Sequence, residues 1–156
     1  MPKTMNGEAD LKVGTKKLTE GTTVMNNKIT GNRFEADLCE TLRDYGFWAH
    51  NMAQNAHGQP ADVIAVKYDI AYLIDCKDCE NDTFPLSRIE PNQEAAMTMW
   101  EICHNRHCYF ALRLTNGVVY MLPFDKLMLL EDMGKKTLSR TEIMKFPSFL
   151  EWVGDM

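Results

Sequence analysis

No stretch of this chain approaches the roughly 20 consecutive apolar residues of a membrane helix. The opening MPKTMNGEADLKVGTKKLTE has no apolar core of the secretory kind. The expectation is a cytoplasmic protein with no membrane partner. Cations are scarce as well: 17 Lys and Arg stand against 22 Asp and Glu, a net charge of −5. That balance weighs against a protein that simply coats nucleic acid, since such affinity comes from neutralising phosphates. It leaves open an enzyme whose carboxylates bind cations. Cysteines number five, an odd count without a secretory signal, so reduced thiols are expected rather than a disulfide framework. Repeats and low-complexity segments are absent too. What is present suits one globular domain: 156 residues, 45% hydrophobic and 25% charged, with eleven methionines as soft core volume.

Residues 1–28, rich in Lys, Thr, Gly and Asn, read as a mobile arm whose Lys3, Lys12, Lys16 and Lys17 either touch a polyanion or are simply solvated. From 29 to 156 the pattern is that of a folded domain. Phe34, Leu38, Leu42 and Tyr45 recur at helical spacing and Gly46 follows as a C-cap. Strands are predicted at 47–52, 62–67 and 70–77, forming a meander with "KYD" as the tight connection between the last two. Glu90 and Pro91 start a second helix that runs to about 104. "HCYFALRL" and "VVYMLPF" flank Asn116-Gly117, which sits where a two-residue hairpin turn wants it. A short helix at 124–131 and a last one at 140–153 complete a mixed α/β sheet flanked by helices.

The strands carry acids where a sheet is being built. Alternation puts Asp75 and Lys77 on one face, a chemical one, and Ile74 and Cys76 on the other, a core one. Asp62 opens the neighbouring strand and, in a meander, can lie beside Asp75. Two such carboxylates repel unless protonated or bridged by a cation, and oxygen donors suit Mg²⁺ or Mn²⁺. Lys77 could then steer a water and stabilise transition-state charge. An Asp–Lys ion pair on an exposed face, with Asp62 as a turn residue, explains the same residues without function. Glu35 lies about 20° from Leu42 around its helix, at the edge of the apolar stripe. Gln93 shares a face with Ala96, Met97 and Trp100, so its amide points inward. A boundary residue and a helix-end amide are the plain alternatives.

"GNRFEADLCETLRDYGF", "PADVIAV", "AYLIDCKDC" and the helix bearing Gln93, over residues 30–115, resemble the PD-(D/E)XK nucleases. The likeness is strongest to the Holliday junction resolvase branch of archaeal and RecU-like enzymes. Asp75 stands where resolvases more often carry Glu, a change compatible with metal binding. The resemblance implies a restriction-endonuclease-like fold, metal-dependent hydrolysis of DNA, branched DNA in the sense of a four-way junction, and a homodimer. It implies Asp62 and Asp75 as ligands of Mg²⁺ or Mn²⁺ with the Cys76 carbonyl, Lys77 serving the attacking water, and Glu35 and Gln93 in support. Arg33, Arg43, Lys67 and Arg88 are candidate phosphate contacts, with Ser87 beside the substrate path or in a plain surface turn. Alternatives of the same fold are a restriction-like or repair nuclease and a non-catalytic binder. Cys76, Cys79, Cys103, His104, His107 and Cys108 suggest another class, a zinc-stabilised binding module.

Overall fold

A computed structural model describes residues 32–52 and 58–156; the expected arm at 1–28 lies outside them. Helix α1 (Asn32–Asp44) forms where the apolar stripe predicts it, burying Phe34, Leu38 and Leu42. It stops at Gly46, whose φ of +84° is left-handed, and the Phe47 N–H closes the end onto the Leu42 carbonyl at 3.0 Å. Strands β1 (Trp48–Asn51), β2 (Val63–Lys67) and β3 (Ile70–Asp78) follow as the expected antiparallel meander. Tyr68 and Asp69, both at positive φ, make the two-residue turn between the last two. Lys67 braces that turn: its Nζ lies 5.0 Å from the Tyr68 ring centroid and donates to the Tyr45 carbonyl at 2.7 Å.

Helix α2 (Pro91–Ile102) then crosses over, so that β5 (Cys108–Arg113) pairs parallel with β3, and β6 (Val119–Pro123) returns antiparallel. The sheet order is β1-β2-β3-β5-β6. Asn116-Gly117 does not form the expected two-residue turn. Leu114 and Val118 bond across a three-residue connection in which Gly117 takes the positive φ, the bulged alternative that asks this of one residue only.

Helix α3 (Phe124–Asp132) leads to two short elements that sequence reading missed. The two-residue strands β4 (Phe84–Pro85) and β7 (Thr137–Leu138) pair with each other, too short for any period to register. The last predicted helix is two, α4 (Arg140–Ile143) and α5 (Phe149–Gly154), because Pro147 interrupts and Ser148 caps anew through a capping box with Glu151.

Both sheet faces are core. Leu42, Val63, Ala65, Ile74 and Trp152 pack on the α1 and α5 side. Leu73, Met97, Phe110, Leu112 and Leu127 pack on the α2 and α3 side. This corrects the expectation that the face of Asp75 is purely chemical. Leu73, two residues before Asp75 on the same face, belongs to the second core, so Asp75 stands at the end of an apolar layer. No helix among the described residues is long and apolar enough to cross a membrane.

Candidate active site

The register brings the two aspartates together. Val63 pairs with Ile74 and the Asp62 N–H donates to the Ile74 carbonyl at 3.1 Å, so Asp62 continues β2 opposite Asp75 on the same side of the sheet. Asp62 is 5% exposed and Asp75 is fully buried. Each carboxylate is held by identifiable donors. Asp62 Oδ2 accepts from the Cys76 N–H at 2.7 Å, and its Oδ1 accepts from Gln59 Nε2. Asp75 Oδ1 accepts from Gln93 Nε2 at 2.9 Å. Asp75 Oδ2 has no hydrogen bond, although Lys77 Nζ stands 3.2 Å away as an ion pair. Lys77 follows Asp75 by two residues and so emerges on the same face, as the strand period requires.

Gln93 reaches inward for a local reason as well. It is the third residue of α2, where its Oε1 accepts the Glu90 N–H at 3.1 Å and completes a capping box. One amide thus caps the helix with its oxygen and orients Asp75 with its nitrogen. Glu35, half-buried in the first turn of α1, enters from the opposite side of the sheet. With Phe34, Lys77, Asp78, Thr83 and Arg88 it lines a cleft of about 600 Å³.

The acids feel one another. Burial pushes the Asp75 carboxyl up to about 7; the neighbouring Asp62 adds to the rise and Lys77 opposes it. Burial likewise raises Glu35 to about 7, helped by the charge of Asp62 and a hydrogen bond to it. Such clustering of carboxylates with one lysine is what a cation site looks like before charge is neutralised. The donor set fits a hard divalent ion: two aspartates and a main-chain carbonyl at Cys76, with Asp75 Oδ2 a buried oxygen lacking a hydrogen bond. Among the described residues no three His, Cys, Asp or Glu side chains form a ready cage.

The remaining expected residues separate. Arg88 lines the cleft, donating to the Asp78 carbonyl at 2.7 Å, and Ser87 is exposed beside it. Arg33 is exposed at the start of α1. Arg43 and Lys67 lie toward the far end of the β2–β3 hairpin, where they hold the carbonyls of Ala49 and Tyr45. They serve the end of α1 and the turn; neither lines the cleft. The cysteines disperse too. Cys76 faces the α1 core, Cys79 and Cys108 the other core, and Cys103 is exposed. Strand alternation separates the CxxC pair across the sheet, so among the described residues the alternative zinc set does not assemble. Sequence reading overlooked Gln59; its one signal was a Gly-Gln-Pro turn just before Asp62. It also overlooked Arg113, which forms a bidentate pair with Asp78 at 2.6 and 2.9 Å and stacks over Phe34 at 4.3 Å, so it braces two residues that line the cleft.

Comparison with known proteins adds two findings. Residues 26–152 match the profile of the archaeal Holliday junction resolvase (Hjc) family. Among solved structures, the chain is similar to Hjc, a Holliday junction resolvase from the archaeal hyperthermophile Archaeoglobus fulgidus, with a TM-score of 0.62 and 22% identity over 80% of this chain and 100% of that one. No curated protein matches.

Proposed function

As the chain belongs to the archaeal Holliday junction resolvase family, it is a structure-specific nuclease acting on DNA, and we propose that the Asp62, Asp75, Lys77, Gln93 and Glu35 constellation is its PD-(D/E)XK active site. Asp62, Asp75 and the Cys76 carbonyl would hold Mg²⁺ or Mn²⁺. Such an ion supplies Lewis acidity toward a phosphoryl oxygen and makes water a better nucleophile. Gln93 fixes the rotation of Asp75. Lys77 Nζ, anchored by Asp75 and lining the cleft, places positive charge where the phosphorane gathers negative charge. Glu35, with its carboxyl near 7, can take a proton from a water in the cleft at neutral pH. Arg88 has donors beyond the one given to Asp78 and can hold a substrate phosphate at the mouth.

The observation that carries this reading is the convergence of Asp62 and Asp75 from adjacent strands, with a lysine two residues on and an amide clamping the buried member. Purified protein given Mg²⁺ should cut a four-way junction in preference to linear duplex, single strand or flap DNA. The Asp75→Asn variant should fold and cut none of them. Cleavage that survives Asp75→Asn would overturn the site.

A symmetric junction needs two paired cuts, and one chain offers one such site, so the working form is a twofold dimer. Trp48 and Val66, paired across β1 and β2, and Met99 and Ile102 on α2 are exposed apolar residues, candidates for burial between two copies. Sedimentation should give a dimer that Trp48→Asp or Ile102→Glu dissociates. A wild-type monomer would remove the assignment of paired cutting while leaving the chemistry in place.

A further inference from the structure

The loop that delivers Asp62 is tied to the helix that clamps Asp75. Gln59 Nε2 donates to Asp62 Oδ1, and the main-chain carbonyl of Gln59 accepts from Asn92 Nδ2 at 3.0 Å. Asn92 precedes Gln93 in the first turn of α2, and Gln93 Nε2 donates to Asp75 Oδ1 at 2.9 Å. We propose that this one helical turn sets the spacing of both acids: Gln93 acts directly on Asp75, and Asn92 acts through Gln59, the positioning residue for Asp62. The inference rests on the metal reading given above and concerns how the chain prepares for the ion.

Several local features make sense on this basis. A carboxylate only accepts hydrogen bonds, so the Gln59 amide must turn its nitrogen toward Asp62. Its Oε1 is left buried and without a hydrogen-bond partner, so the side chain contributes its donor alone. With Cys76 N–H on Oδ2 and Gln59 on Oδ1, the Asp62 carboxylate is held at both ends and cannot rotate away from Asp75. Pro60 restricts the preceding residue to extended backbone, which keeps Gln59 in reach. Gly58 leaves room for Asn92: its φ is +76°, and a Cβ there would come within 3.1 Å of Asn92 Nδ2. Preorganised donors behind metal-binding carboxylates raise ion affinity without touching the ion.

The test uses the full chain, with Mn²⁺ as the calorimetric probe and no DNA present. Gln59→Ala should weaken Mn²⁺ binding about tenfold or more. Melting of the metal-free protein should fall only by the modest amount a single hydrogen bond accounts for, and binding of junction DNA in chelator should stay as in wild type, a readout that a general loss of structure would move. Asn92→Ala should weaken the ion less, and combining it with Gln59→Ala should add nothing, because its effect passes through Gln59. If the alanine variant fails to fold, Gln59→Met, similar in length but without the donor, should show the same loss of Mn²⁺ affinity. Wild-type affinity in Gln59→Ala, or additive losses in the pair, would overturn the positioning role alone. A wild-type chain that takes up no Mn²⁺ would overturn the metal reading itself and this inference with it.

Discussion

Asp75 shows how much of a site depends on one side chain's surroundings. Its carboxyl and that of Glu35 sit near 7, against ordinary values of 3.8 and 4.5. Both therefore hold protons more tightly folded than unfolded. For such groups the favourable contribution is complete below about pH 4 and is lost as pH rises through about 7. Metal-free protein should thus lose stability between pH 4.5 and 7.5, and Asp75→Asn should flatten that slope, as thermal melts in chelator would reveal. Glu142, drawn down to about 2 chiefly by Lys135, has the opposite sign, but its contribution is lost only below about 4.5 and leaves the window clear. Added Mg²⁺ should raise the melting temperature more at pH 7.5 than at pH 5, because the ion competes with protons for the same oxygens. Equal shifts at the two pH values would count against Asp75 as a ligand.

At the scale of elements, α1 presents Glu35 only because Phe34, Leu38 and Leu42 anchor its stripe to the sheet. Leu42 is completely buried, so Leu42→Ala should cost about 2–5 kcal/mol by denaturant titration. Ser148→Ala, which removes the cap of the short helix α5, should cost about 1 kcal/mol. The contrast separates a helix held by packing from one whose start is fixed by a cap. If Leu42→Ala cost no more than Ser148→Ala, α1 would not be the platform described. Helix α2 depends on both devices, since a capping box fixes its first turn, which holds Asp75 through Gln93, and Met97, one turn on, is buried in the core.

For the molecule as a whole, a net charge of −5 must still reconcile with DNA as substrate. Affinity then has to come from local cations, Arg88 at the cleft and, we propose, the lysines of the arm at residues 1–28. Junction binding should fall steeply between 50 and 200 mM salt despite the low pI. Removing residues 1–28 should weaken binding and reduce that salt slope while single-turnover cleavage of bound junction changes little, because lysines that grip phosphates position the backbone without touching the attacked bond. A salt-independent affinity, or a slope unaltered by the deletion, would point away from the arm.

Composition, period and spacing by themselves determined the mixed sheet, the meander, the crossover helix and the alternation that puts Asp75 and Lys77 on one face. Those features are local consequences of apolar repeats and of the two-residue strand period. The inward amide of Gln93 was legible for the same reason. Other features needed the third dimension. The three-residue hairpin at Gly117, the split of the last helix at Pro147 and the pairing of β4 with β7 depend on partners far along the chain. So do the burial of Asp75 beneath α2, the separation of Cys76 from Cys79, the diversion of Arg43 and Lys67 to backbone carbonyls, and the hold of Gln59 on Asp62. Spacing tells which residues can share a face. Only packing decides which of them lose water, and it is the loss of water that raises Asp75 and Glu35 and gives two aspartates a use for a cation.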